Sequence, residues 1–434
     1  LVHYDTESYG YVGLLRLVDV GARMTSNEGF FQRRQAAAVL KHGVLRRYPL
    51  VFATMTGSRS EAGRVVFLDG YAGPGRYADG SPGSPLLAVR LAATAAGWRR
   101  AVECVFVEQN PSHFADLQRC LTKEAPPELA YRLLNGDVAD HVSEVLSLVG
   151  SAPLLAFLDP FGTALDSNTL CSTLLARPRS TKTEVLLNFN LEMVSRIGGQ
   201  LARPAGDQAA DKSLASMDRF LGGDWWRGTF RDARRSSEPG SAAKAAQQVA
   251  DVYRDRIRDK TGFQSFPVPV RRRPAHHPLF LLVLFFRADV APWKFNDAVS
   301  LANGEWRDAC LQQEVAEWRA ERDARSVFGQ AALPGLDEHV DTVAKSLEDE
   351  ARDMLQRNES EWVAIIERNM RTLLERERAI YLKPRINELY GTTLGLAREM
   401  HVNRAWKRLT AARVAAPKAK GVKYLYEATL TRAS

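Results

Sequence analysis

The chain has 434 residues, 45% of them hydrophobic and 25% charged, with a formal net charge of +8. That length exceeds one ordinary small domain, and the balance is that of a soluble globular protein of two or three units able to bury a core. No uninterrupted apolar run of about 18 residues occurs, which excludes a spanning helix.

LVHYDTESYG (1–10) lacks the basic-then-apolar order of a signal peptide, so the expected location is cytoplasmic. From about 60 to 190, short apolar runs alternate with stretches of helical spacing. RVVFLDGY, CVFVEQN, PLLAFLDPFG and EVLLNFN read as strands; SPLLAVRLAATAAGWRR, PSHFADLQRCLTKE and DHVSEVLSLVG read as helices. Strands apolar throughout, separated by helices, predict a parallel sheet covered on both faces, an α/β fold. Residues 202–215 and 234–247 read as polar loops or insertions. HPLFLLVLFFRAD (277–289), the most apolar run, is expected at the centre of the sheet. The segment 306–379 is charged and helix-prone, divided by Pro334 and Gly335. The tail, 380–434, combines two short helical stretches with VAAPKAKGVKYLYEATL, which reads as a hairpin; helix, helix and hairpin is the order of a winged-helix module. The expected domains are thus 1–305, 306–379 and 380–434.

Charge is unevenly distributed. The tail holds eleven Lys or Arg and three Asp or Glu, so the rest of the chain sums to zero. A neutral body with a basic module is the charge pattern expected of a nucleic-acid footprint, the alternative being a solvated, soluble surface. Arg398, Arg404, Lys407, Arg408 and Arg413 recur at spacings that place several on one helical face. Leu396, Met400, Val402, Ala405, Trp406 and Leu409 would face the core of the module, and Lys418, Lys420 and Lys423 would extend the basic surface. The other reading of such a module is protein docking or dimerisation. The four cysteines (Cys104, Cys120, Cys171, Cys310) form no CxxC pair and are expected to be reduced, structural thiols. His276 and His277 are adjacent, poor geometry for one metal ion, and no metal site is expected.

FLDGYAGPGRYADGSPGSPLLA (67–88) places Asp69, Gly70, Tyr71, Gly73 and Gly75 directly after a strand, where glycines allow close approach of backbone to a ligand. Three further acids stand in register with it. Glu108 ends VFV, where an acid accepts hydrogen bonds from ribose hydroxyls; Asp137 in NGDV would accept from an adenine amino group; Asp159 opens DPFG. One such acid is easily a helix cap. Four in successive β–α units match the cofactor site of S-adenosylmethionine-dependent methyltransferases better than a nicotinamide site, which would show GxGxxG. No GxxxxGK[ST] phosphate loop occurs. For methyl transfer to an amine, Asp159 would accept the amine hydrogens, Pro160 stiffen the turn and Phe161 stack on the acceptor. A structural β–α turn is the alternative.

FLDGYAGPGRYADGSPGSPLLA, FVEQN, FLDPFG and LLNFN resemble the three-Cys-motif partner family over most of the first 300 residues. The cysteines of that name belong to the partner protein, so a partner with a cysteine motif is implied. More distantly the chain is similar to bacterial ribosomal-RNA adenine-N6 methyltransferases, whose Val-Leu-Lys-His segment is matched by VLKHGVL (39–45) and whose Pro-Gly-Ser-Pro is matched by residues 82–85. The resemblance implies a Rossmann-like methyltransferase fold and S-adenosylmethionine, with Lys41 and His42 lining the methionine end and Ser84 nearby. Those enzymes carry Asp-Pro-Pro before an aromatic where this chain has Asp-Pro-Phe-Gly, a departure that bears on the acceptor and not on the cofactor. The expected activity is methylation of a nucleic acid base. The alternatives are a methyltransferase for a protein or small molecule, and an inactive binding protein on the same fold.

Overall fold

The apolar runs read as strands join one seven-stranded sheet in a computed structural model of the protein, which describes residues 36–160, 165–203, 206–234, 238, 240–327 and 336–433. The described residues divide into two compact units, 36–291 and 292–433. The first unit opens with helices α1 (Ala36–Leu45) and α2 (Tyr48–Gly57), then β1 (Arg64–Asp69), α3 (Ser84–Ala96), β2 (Ala101–Glu108), α4 (Pro111–Glu124), β3 (Tyr131–Asn135), α5 (Val138–Val149) and β4 (Leu154–Leu158). It continues with α6 (Ser167–Ser172), β5 (Thr183–Asn190), α7 (Leu191–Gly198), α8 (Gln208–Leu221), α9 (Trp225–Ala233), α10 (Ser241–Thr261), β6 (Gln264–Val270) and β7 (Phe280–Phe286).

The strand order is β3-β2-β1-β4-β5-β7-β6. Strands β1 to β5 are parallel, and β7 is antiparallel to both neighbours. This is a mixed α/β unit of Rossmann-like kind. Val65, Val66, Phe67 and Leu68 are all buried, as are Leu154 to Leu158, so both faces of the central strands are covered. Val66, Leu68, Val105, Leu158 and Leu187 belong to a core shared with α5 to α10. Helices α1, α2 and α3, whose buried residues lie outside that core, contact β6, β1 and β2 respectively.

In this first unit three expectations are corrected. The run 277–289 forms β7, next to the edge rather than central, because QSFPVPV supplies an outer strand, β6. An apolar run reports only that both faces and both neighbours are supplied. Pro267 and Pro269 lack an N–H, which suits β6 to the edge. The stretches read as loops contain, among their described residues, the starts of two helices: α8 buries Ala210, Leu214, Met217, Phe220 and Leu221, and α10 buries Ala245, Ala246, Val249, Ala250, Tyr253 and Ile257.

The second unit contains helices α11 (Ala291–Val327) and α12 (Leu336–Arg376), β8 (Ala379–Tyr381), α13 (Ile386–Tyr390), α14 (Glu399–Ala411) and β9 (Thr429–Thr431). Pro334 and Gly335 lie outside the described residues. The unit begins at Pro292 because the first turns of α11 belong to the tail's core. Buried Asn296 donates to Ala397 O at 2.8 Å and accepts from Gly395 N at 2.6 Å, and Trp293 Nε1 donates to Lys383 O at 2.9 Å. Val402, Ala405, Trp406 and Leu409 are buried as expected, but Met400 is exposed and His401 takes the inward place. Positions 402, 405, 406 and 409 share one helical face, which 400 does not. The expected hairpin is reduced to one bridge, Ala415 to Arg432; β9 instead pairs with β8.

Candidate functional site

Strand β1 ends at Asp69 and β4 at Leu158, neighbours across the point where the strand order reverses. In open α/β sheets ligands bind there, outside the carboxyl ends of the strands. After Asp69 the backbone runs against β4: Gly70 N donates to Phe157 O at 2.9 Å, and a Cβ on Gly70 would lie 2.8 Å from Leu158 Cδ2. Gly73, at φ +67°, donates its N–H to Glu108 Oε2 at 2.7 Å. Gly75 O then accepts from Gly83 N at 2.8 Å, and Arg76 bridges Pro82, closing 75–83 into an arm ahead of Ser84.

Asp69 is fully buried. Its Oδ1 accepts from Tyr71 N at 3.2 Å, while Oδ2 has no hydrogen-bond partner among the described residues. Burial pushes the Asp69 pKa up to about 7; the Ser84 hydroxyl and the Tyr71 N–H draw it down, and the charges of Asp159 and Glu108 add to the rise. The Ser84 hydroxyl therefore acts on this carboxyl but leaves Oδ2 unsatisfied. A buried carboxylate oxygen without a donor costs about 1–3 kcal/mol or more, a cost that a hydrogen-bonding ligand would relieve.

Glu108 sits at the end of β2, and both its oxygens serve the backbone: Oε2 takes Gly73 N, and Oε1 takes Asn110 N at 2.7 Å. It thus ties the turn after β1 to the turn after β2. Each oxygen keeps a further lone pair for a hydroxyl. Asp137 caps α5, its Oδ1 accepting from Ala139 N at 2.9 Å, with Gln109 Nε2 at 3.5 Å from Oδ2. Tyr71 accepts Leu165 N on its hydroxyl at 2.8 Å, anchoring the chain at the start of the segment that leads into α6.

Asp159 is held from two sides. Lys41 on α1 donates to its Oδ2, and Asn188 on β5 donates to its Oδ1 at 2.6 Å. Burial acts to lower the Lys41 pKa, but Asp159, Tyr77 and Asp69 outweigh it and hold the ammonium above its ordinary value. His42, buried beside it, lies with Nε2 3.1 Å from the Tyr77 hydroxyl, which links α1 to the 75–83 arm. Pro160 is buried, and Phe161 lies outside the described residues. Lys41, Asp69, Ser84, Glu108 and Asp159 are thereby brought to one edge, with Asp137 as a cap beside it. Sequence reasoning missed Asn188 and Tyr77. The signal for Asn188 was present: a polar amide in the apolar run EVLLNFN, buried in the structure.

The cations expected on α14 are partly engaged within their own unit. Arg404 pairs with Glu359 at 3.0 Å, Arg408 lies 3.9 Å from Glu367, and Arg398 Nη2 lies 3.0 Å from Met400 Sδ. Lys418 donates to Asn403 at 3.4 Å and Lys423 stands over the Tyr424 ring, while Lys407, Arg413 and Lys420 are exposed. Exposed pairs of this kind contribute about 0–1 kcal/mol and exchange readily for other partners.

A pH dependence follows from two buried carboxyls. Asp69 and Glu184, whose Oε2 accepts from Tyr48 Oη at 2.6 Å, are both pushed up to about 7, chiefly by burial. A carboxyl raised on folding binds more protons folded than unfolded. Its stabilising contribution is complete below about pH 4 and is lost as pH rises through about 7. The melting temperature is expected to fall across that window, and Asp69→Asn with Glu184→Gln should flatten the fall in thermal scans. An unchanged slope would remove burial of these carboxyls as its cause.

In comparisons with known proteins, no family model and no curated protein matches the chain.

Proposed function

We propose that the protein is an S-adenosylmethionine-dependent methyltransferase acting on an amine of a nucleic acid base. One observation carries the reading: an unsatisfied, fully buried carboxylate oxygen on Asp69 stands next in the sheet to a second, oriented carboxylate, Asp159, at the reversal of the strand order. The antiparallel strand inserted before β6 also separates this sheet from the dinucleotide-binding order 3-2-1-4-5-6.

The residues fit the cofactor. Asp69 offers an acceptor without a donor, Glu108 keeps lone pairs for ribose hydroxyls, and Asp137 lies beyond the next strand for an adenine amine. Gly70, Gly73, Gly75 and Ser84 would form the cradle between them, with Lys41 and His42 on the adjoining helix. When bound, S-adenosylmethionine supplies a sulfonium methyl group to an acceptor lone pair. Asp159 accepts a hydrogen of the acceptor amine and so turns its lone pair. Asn188 fixes the plane of that carboxylate, and Lys41 balances its charge, which favours a neutral acceptor such as a base amine over an ammonium. A stacked base is out of reach, so the base would be unpaired or flipped. The 380–434 module, in which two helices precede β9, serves as a winged-helix grip on the substrate.

Calorimetry with S-adenosylmethionine and its demethylated product tests the reading. Saturable binding is expected, tighter at about pH 8 than at about pH 6, because Asp69 loses its proton through about 7 and an ionised carboxylate suits a cationic ligand. Absence of binding heat across that range would end the proposal.

A further inference from the structure

Strand β6 runs parallel to β5, with β7 antiparallel between them, so the turn from β6 to β7 emerges at the carboxyl edge of the sheet, the edge that holds Asp69 and Asp159. Register makes the placement closer. Asn188, which holds Asp159, lies across from Leu282, and β7 begins only two residues away at Phe280, about 7 Å along the strand. The turn reads RRRPAHHPL, residues 271–279, with three arginines and two histidines and no acid.

This turn is anchored. Leu279 N donates to Val270 O at 2.9 Å and His276 N to Arg273 O at 3.1 Å. Leu279 O accepts from Leu191 N and Glu192 N, at 2.9 and 3.1 Å, at the start of α7. His277 packs against the entry to α10, where a Cβ on Gly240 would lie 2.6 Å from its Nε2. Arg272, His276 and His277 are exposed, and Arg271 and Arg273 half-buried. Glu192 lies 3.9 Å from Arg272 with both side chains more than half exposed, a pairing a phosphate can displace. Burial first, and then the charges of Arg273, Arg272 and His277, hold the His276 pKa below its ordinary value.

We propose that the 271–279 turn is the phosphate-gripping lip of the acceptor entrance and takes the backbone of a single-stranded nucleic acid segment whose base reaches Asp159. The chemistry at Asp159 rests on the methyltransferase reading; the grip itself does not. Guanidinium forks match phosphate oxygens, and placement on an anchored turn lowers the ordering cost of binding. Against three arginines the turn has, among the described residues, one acidic neighbour in an ion pair, the exposed Glu192, so charge complementarity assigns phosphate to the turn.

The test uses the full chain with Arg271, Arg272 and Arg273 all changed to Gln, and a second variant, Arg272→Gln, at the exposed position alone. Fluorescent single-stranded RNA and DNA of about 20 nucleotides are titrated at about 50 and 200 mM salt, alongside calorimetry with S-adenosylmethionine. The triple variant should keep cofactor affinity within about twofold, bind oligonucleotide at least about tenfold more weakly at low salt, and show a salt slope smaller by about 2, near 0.7 for each phosphate no longer neutralised. Arg272→Gln should move both quantities in the same direction by a smaller amount. Wild-type affinity and slope in both variants would overturn the lip, as would preference of the wild-type protein for a polyglutamate peptide over either oligonucleotide. Loss of oligonucleotide binding in the variants, with no cofactor binding by any form, would leave the lip standing and remove the methyltransferase reading.

Discussion

Replacing Asp159 with alanine is expected to lower methyl transfer about 100- to 1,000-fold, the range seen when one oriented electrostatic group is removed from a reacting centre. Cofactor affinity should change by no more than about twofold, because a carboxylate in the proposed acceptor role acts on the transition state. The structure adds a stability effect. Asp159 pairs with Lys41, whose side chain is 9% exposed, so the alanine variant leaves a nearly buried ammonium without its carboxylate. Breaking such a pair costs about 3–5 kcal/mol when the remaining charge stays buried. Asp159→Asn separates the two effects, since it retains the volume and an oxygen that accepts from Lys41 or Asn188. Its melting temperature should lie closer to wild type than that of the alanine variant, with turnover still low. Wild-type turnover in the asparagine variant would return the DPFG turn to a structural role.

Glu108→Ala is expected to weaken S-adenosylmethionine binding by about 1.5–3 kcal/mol through loss of charge-assisted hydrogen bonds. Part of that loss would come through the protein itself. The N–H groups of Gly73 and Asn110 both end on this carboxylate, so its removal frees the glycine turn on one side and the entry to α4 on the other. Glu108→Gln can still accept one of these bonds and should recover some of the melting temperature with less recovery of affinity. Equal calorimetric affinity for wild type and Glu108→Ala would exclude Glu108 from the cofactor site.

Much of the sheet was legible because parallel strands buried on both faces leave continuous apolar runs, and the turn residues after them mark their ends. RVVFLD, VFVE and LLAFL could be placed with their terminal acids for that reason. The amphipathic spacing of α4 and α5 was equally plain. By contrast, α8 and α10 carry alanine and charged residues densely enough to read as polar loops, and only the aromatic core above β5 shows why their Ala, Met and Tyr positions turn inward.

The sequence by itself determined which residue types stand at the strand ends: carboxylates, glycines and a short proline-containing turn, chemistry that local spacing carries. Partnership was decided by tertiary structure alone. Lys41 and Asp159 are 118 positions apart and Asn188 a further 29 beyond Asp159, and no periodicity links them. The antiparallel insertion of β7 likewise turned three arginines in a nondescript loop toward the edge that holds Asp159, because strand direction is set by sheet pairing and not by the composition of the strand.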